Sequence, residues 1–231
     1  MNRDNGWISM SDKQYFASPE ISFSDLSLAL KGPLQWANRK KFPLESSVLQ
    51  FGTDFHNLML LDKWPGKATQ TVKRHLEAMK GQLKELELFR RVMSMEDLQI
   101  EIPGFYEGFK CKPDIRVPSL GLMIDLKTTA DSTPGAFKWS AKKFNYHLQA
   151  AHYLDVANEI AGEEKYTTFL FVAVEKTAPY NAYIHECSQR VLQTARELRA
   201  EAISKINEFR DSGNLEALAT EEKGVIHTLD F

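Results

Sequence analysis

The sequence predicts an α/β fold, a central mixed β-sheet flanked by helices, with an N-terminal helical region ahead of it. Three observations carry this. Residues 22–93 hold apolar side chains at helical spacing; from Leu98 the texture changes to short segments rich in aromatic and β-branched residues, cut by Pro-Gly turns; and a long helical stretch then separates residues 121–129 from a second apolar run at 166–175. Helices, an antiparallel meander, a crossover helix and a further strand make an α/β sandwich around one mixed sheet. With 231 residues, 43% hydrophobic and 26% charged, the chain is expected to bury its core as a single domain (1–231), mainly helical over 1–95 and α/β over 96–231.

Taken in order, "ISFSDLSLALKGP" (21–33) reads as a short helix, with Ser22 or Ser24 as its N-cap and Gly32-Pro33 as its stop. A second helix starts at Pro33 and runs to about Arg39. "SSVLQFGTDFHNLMLL" (46–61) places Val48, Leu49, Phe51, Phe55, Leu58 and Met59 near helical spacing, and "DKWPG" ends it. Residues 68–93 read as one broken helix or two consecutive ones, with Gly81 as the interruption. "LQIEI", "GFYEGFKCKPDIRV" and "GLMIDLKTT" are strand segments separated by turns. A long helix is expected over roughly 135–160, a central strand over 166–175, its partner over 180–187 and a closing amphipathic helix over 188–213.

The longest apolar runs are too short to span a bilayer, so no membrane partner is expected. "MNRDNGWISMSDKQYF" shows no export or organelle-targeting pattern, and Cys111 and Cys187 form no CxxC, which together point to a reducing cytoplasm. The formal charge of −2 gives no global signature of a nucleic-acid binder. Any such role must rest on the local basic clusters 37–42, 72–75 and 137–144, for which a solvated helix face is the usual explanation.

The chemistry gathers in "CKPDIRVPSLGLMIDLKTTA" (111–130). Asp125 and Lys127 are two apart and so share a strand face, eleven residues after Asp114. Two carboxylates at one place repel unless a divalent cation lies between them, and hard oxygen ligands select Mg²⁺ or Mn²⁺. A lysine beside such an ion can hold the attacking water and stabilise charge on a phosphoryl oxygen, which makes the set suited to cutting phosphodiesters. By spacing alone, an ordinary surface ion pair worth about 0–1 kcal/mol is the favoured reading of Asp125 and Lys127, because D-x-K occurs by chance in many proteins. The run Leu122-Met123-Ile124 argues otherwise, because an unpaired charge at the end of an apolar strand is expensive.

Other residues have two readings each. A histidine in an amphipathic helix, as His56 is, more often belongs to a core or rim than to a metal. Gln149 and Tyr153 share a helix face, as any polar stripe does. Ser22, Ser24 and Lys31 lie on or beside a helix start, an intrinsic anion site, though plain capping serves equally for a serine. His75, His147, His152, His185 and His227 show no metal-ligand spacing and read as structural or surface residues.

"KPDI…MIDLKTT" resembles the core of the PD-(D/E)xK nucleases, with Asp114, Asp125 and Lys127 at the three motif positions and Asp125 where many members have Glu. "FGTDFHNLMLL" resembles the GxxxH helix of exonuclease members, matched by Gly52 and His56, and "YHLQAAHYLD" their QxxxY motif, matched by Gln149 and Tyr153. "ISFSDLSLALKGPLQW" resembles the opening helix of the RecE-type and phage-lambda-type alkaline exonucleases, so the resemblance runs from about Ile21 to Tyr153.

The resemblance implies a restriction-endonuclease-like core and a Mg²⁺-dependent exonuclease, with Mn²⁺ as substitute, that digests linear duplex DNA 5′ to 3′ and leaves a 3′ single-stranded tail for recombination by annealing. On it, Asp114, Asp125 and the Leu126 carbonyl hold the metal, and His56 completes the shell or serves a second ion. Lys127 positions water, Gln149 orients Lys127 or the phosphate with Tyr153 on the same face, and Ser22, Ser24 and Lys31 lie near the 5′-phosphate. Its implied partners are duplex ends and a phage single-strand annealing protein, within a homotrimeric ring of phage or prophage origin in a bacterial cytoplasm. Rival readings are a RecB-like nuclease on single strands and a non-catalytic DNA-end-binding module. Members of the first class commonly carry a four-cysteine iron–sulfur cluster, which two isolated cysteines cannot supply.

Overall fold

A computed structural model of the chain describes residues 4–38 and 47–223. Residues 39–42 of the first basic cluster, and His227, lie outside them. The N-terminal half contains β1 (Gly6–Trp7), α1 (Asp12–Ala17), α2 (Phe23–Ala29), α3 (Pro33–Asn38), α4 (Ser47–Leu61), α5 (Gln70–Glu85) and α6 (Glu87–Met93). Short α2 is held at its start by a reciprocal cap: the Asp25 N–H donates to Ser22 Oγ at 3.4 Å while the Ser22 N–H donates to Asp25 Oδ2 at 2.9 Å. There follow β2 (Gln99–Ile100), β3 (Gly104–Tyr106), β4 (Phe109–Cys111), β5 (Ile115–Val117), β6 (Leu122–Thr129), α7 (Pro134–Lys143), α8 (Tyr146–Ala161), β7 (Thr168–Glu175), β8 (Ala182–Glu186), α9 (Gln189–Asp211) and α10 (Leu215–Lys223).

The main sheet is mixed, with strand order β2-β5-β6-β7-β8. β6 and β7 pair in parallel from Leu122↔Thr168 to Thr129↔Glu175, and the other pairs are antiparallel. A parallel pair needs a long crossover, which α7 and α8 supply. β6 is launched by Gly121 at φ 56; a Cβ there would lie 2.3 Å from the Lys165 carbonyl oxygen, so glycine alone lets the strand begin beside the entry to β7.

Residue alternation on β6 divides the core. Ile124 and Leu126 face a cluster with Phe55 and Leu58 of α4 and Leu76 and Met79 of α5. Met123 faces the opposite cluster, with Ala150 and Leu154 of α8 and Phe169 and Phe171 of β7. Asp125 and Lys127 share the Met123 face by the two-residue period. Each fully buried Leu or Phe contributes about 1.5–3 kcal/mol, so the apolar neighbours fix the strand register that places these two charges.

The structure departs from the sequence reading at several element boundaries. The break within 68–93 falls at Leu86, extended at φ −73 and ψ 106, while α5 runs through Gly81. Gly81 is exposed and costs a helix only about 1 kcal/mol, whereas Leu86 gains a place against the core by turning the chain. The expected helix over 135–160 is two helices, parted at Asn145, which is left-handed at φ 55. Residues 104–117 are not one strand run: β3 and β4 form a hairpin through Glu107 and Gly108, both at positive φ, in a separate sheet with β1, and β5 alone joins the main sheet. β1, α1 and α10 had no counterpart in the sequence reading.

Candidate metal and catalytic centre

Regular pairing of β5 with β6 ends at Ile115↔Ile124. At the next position the Asp114 side chain takes the place of a ladder bond: its Oδ2 accepts from the Leu126 N–H at 2.7 Å, while the Asp114 carbonyl accepts from the Glu101 N–H at 3.0 Å. The carboxylate is thereby fixed at the edge of β6, with 7% of the residue exposed.

Asp125 and Lys127 do meet on one face. Lys127 Nζ lies 2.7 Å from Asp125 Oδ2 and donates to Gln149 Oε1 at 2.9 Å, and Gln149 Nε2 donates to Asp125 Oδ1. Gln149 is buried, and the amide locks acid and base together from α8. Asp125 Oδ2 has the ion pair but, among the described residues, no hydrogen bond of acceptable geometry. A buried carboxylate oxygen in that state retains capacity for a cation.

His56 on α4 closes the other side. Its Nδ1 is 3.3 Å from Asp114 Oδ1 and its Nε2 is 2.9 Å from the Leu126 carbonyl oxygen. Acceptors on both nitrogens suit the imidazolium, in which both are donors. Burial opposes that charge, but the Asp114 carboxylate more than reverses it and the pKa rises to about 9. The two acids diverge. Burial pushes both upward; in Asp114 the His56 charge and hydrogen bonds outweigh it and the pKa falls, whereas Asp125, with the Asp114 charge also against it, stays above the ordinary range. Burial works to lower Lys127, but the Asp125 carboxylate holds its ammonium above the usual lysine value.

One contributor escaped the sequence reading. Glu101 leaves β2 at φ 50, a left-handed turn that carries its side chain to the centre. Ligand atoms of His56, Glu101 and Asp114 all lie within 4.8 Å of one another, and Lys112 steadies Glu101 with an ion pair of 3.3 Å. The sole sequence signal was an acid standing at the point where Pro103 breaks a strand pattern. His56, Glu101 and Asp114 thus form one candidate donor group, and Asp125, held by Lys127 and Gln149, adds a carboxylate that feels the Asp114 charge. This oxygen-rich set fits Mg²⁺ or Mn²⁺.

The remaining expected residues fall less centrally. Tyr153 lies one turn beyond Gln149 with only 8% of its surface exposed, and its ring packs edge-on to Phe169 at 6.2 Å, so it forms the wall behind the centre. Burial, aided by several nearby charges that include Asp125 and Asp114, pushes its hydroxyl well above the ordinary tyrosine range. Ser22, Ser24 and Lys31 do not gather at one helix start: Ser22 is spent on the α2 cap, Ser24 is exposed in the first turn, and Lys31 lies past the far end of α2. α2 itself packs near the centre, since Asn145 Nδ2 at the head of α8 donates to Ser27 Oγ at 3.3 Å. A Cβ on Gly52 would meet Thr128 Oγ1 at 3.9 Å, an ordinary contact, so α4 does not need a glycine there to approach β6. His152 is structural: Arg199 Nε donates to its Nδ1 at 3.2 Å, so its Nε2 donates to the Lys110 carbonyl at 2.9 Å.

Residues 46–217 match the family described as PDDEXK-like domain of unknown function (DUF3799). The chain belongs to that family. A candidate exonuclease from Eubacterium rectale shares the fold at a TM-score of 0.71 and 15% identity, over 97% of this chain and 96% of that one. A phage-related exonuclease from Haemophilus somnus superposes at 0.42 with 14% identity (87% and 100% covered), and an alkaline exonuclease from Laribacter hongkongensis at 0.38 with 13% identity (91% and 98% covered). No curated protein matches the sequence. This PDDEXK-like family and the fold support a hydrolytic nuclease. Among the described residues, no helix is long and apolar enough to cross a membrane.

Proposed function

We propose that this PDDEXK-like domain is a divalent-metal-dependent exodeoxyribonuclease that digests linear duplex DNA 5′ to 3′ and leaves 3′ single-stranded tails for strand annealing. The observation that carries the reading is the meeting of Asp114, Asp125 and Lys127 at one edge of β6, with Asp125 Oδ2 buried and Lys127 Nζ 2.7 Å from it. A divalent ion held by Asp114, Asp125 and the Leu126 carbonyl, with His56 or Glu101 completing its shell, would supply Lewis-acid activation of the phosphoryl oxygen and of water.

The chain's own residues do the positioning. Gln149 and Asp125 fix the Lys127 ammonium, which then holds the attacking water in line and meets charge developing on the phosphate. The low-dielectric surroundings strengthen each of these charge interactions. Since His56 engages both Asp114 and the Leu126 carbonyl, it must give up a proton before its own nitrogen can become a ligand.

The name of the Eubacterium rectale relative favours exonuclease over endonuclease action. Polarity, the 5′-phosphate preference assigned to Ser24 and Lys31, the homotrimeric ring and the annealing partner in a phage-bearing bacterial cell rest on the resemblance to RecE-type and lambda-type exonucleases. Linear duplexes labelled at one chosen end of one strand test the reading with Mg²⁺. Early release of a 5′ label with late loss of a 3′ label supports it; the reverse order, or cutting of circular duplex, overturns it.

A further inference from the structure

We propose that α7 and the turn after it form a base-stacking platform, holding unpaired nucleotides of a DNA strand on its way to the reaction centre. Trp139 is 69% exposed and Phe144 51%, although the helix does not need either to stay in place. It is anchored by Phe137, 3% exposed and stacked on His185 at 4.3 Å. The exposed rings are interleaved with the exposed lysines Lys138, Lys142 and Lys143, with Lys142 Nζ 6.0 Å from the Trp139 ring and Lys143 Nζ 5.5 Å from the Phe144 ring. In a chain of net charge −2, the stretch between Asp131 and Asp155 contains no acidic residue at all.

The surface is continuous with the centre. Phe144 stacks on Tyr146 at 5.7 Å and an interplanar angle of 28°, and Tyr146 lies beneath Lys127 Nζ at 4.3 Å. Alternating aromatic faces and ammonium groups are what a single strand requires, the rings receiving bases and the lysines receiving phosphates. A paired duplex hides its base faces except at its end, so the occupant is an unpaired segment. Its direction toward Lys127 rests on the nuclease reading, whereas binding can be measured without turnover.

The test is fluorescence anisotropy in EDTA with two labelled probes of equal length and charge, an oligothymidylate and an abasic sugar–phosphate oligomer. The wild-type protein should bind the thymidylate at least about fivefold more tightly, as one stacked base requires. Trp139→Ala and Phe144→Ala should each lose most of that preference, Trp139→Phe should keep it, and joint Lys138, Lys142 and Lys143→Gln should weaken both probes alike. Equal affinity of the wild-type protein for the two probes overturns the platform and leaves the patch to a protein partner. A protein that keeps the base preference but cuts no DNA with any metal sinks the nuclease reading alone; one that digests DNA without any preference sinks the platform alone.

Discussion

Asp125 and Lys127 are charges in a nearly closed setting, where the loss of water that makes each costly also strengthens what each can do to a substrate. Removing one partner outright would leave the other buried and unpaired at a cost of about 3–5 kcal/mol, so conservative variants separate chemistry from folding. Lys127→Gln and Asp125→Asn should fold with near wild-type circular dichroism, and Lys127→Gln should lower the hydrolysis rate on the order of 10²- to 10³-fold. An unchanged rate would remove Lys127 from the centre. Buried His152 and half-buried His56 give opposite pH signatures. Burial, with Arg199 adding to it, depresses His152 to about 3, so its contribution is present in full above the unfolded value near 6.5 and is lost as pH falls toward about 3. His56, raised to about 9, stabilises the metal-free fold below about 6.5 and loses that contribution as pH rises through about 9. Urea unfolding between pH 6.5 and 4.5 should therefore show a steeper loss of stability for the wild-type protein than for His152→Gln, by up to about 1.4 kcal/mol per pH unit. Parallel slopes would mean that His152 titrates normally.

Among the elements, the left-handed break at Asn145 matters most, because it turns one helix pattern into two and brings Gln149 over β6. Asn145→Val would force a β-branched residue into that conformation, costing on the order of 1–2 kcal/mol and displacing Gln149. Thermal unfolding and activity should both fall for Asn145→Val and neither should fall much for Asn145→Gly; equal behaviour of the two would deny the break its role. That break also marks where the sequence ceased to be readable. α4, α9, β6 and β7 were legible because ten or more periodic residues, or an unbroken apolar run with its register, leave little choice. The turns at Leu86 and Asn145 were not, since each is decided by packing contacts with distant residues rather than by local propensity. The same holds within the centre. Asp114, Asp125 and Lys127 were singled out by the apolar flank and by the resemblance to the PD-(D/E)xK core, since spacing alone favours a surface ion pair, while Glu101 arrives only through a left-handed turn that no short pattern announces.

Across the whole molecule, the net charge is only −2, and the exposed lysines Lys138, Lys142 and Lys143 form one local basic cluster on α7. Two apolar layers cover the sheet, and where the β5–β6 pairing ends Asp114 meets His56 and Glu101, with the Asp125–Lys127 pair on the neighbouring face of β6. In the absence of a divalent ion, the His56 imidazolium and the Lys127 ammonium balance part of that negative charge. This arrangement explains why the fold can tolerate such a site and why its activity should depend on metal. The most direct measurement is the digestion of end-labelled linear duplex by the wild-type protein and by Asp125→Asn, each in Mg²⁺, Ca²⁺ and excess EDTA. The account predicts nucleotide release by the wild-type protein in Mg²⁺ alone, with little turnover in Ca²⁺, whose looser shell positions water poorly, and none by Asp125→Asn. Digestion that persists in excess EDTA, or that Asp125→Asn performs at the wild-type rate, would contradict it.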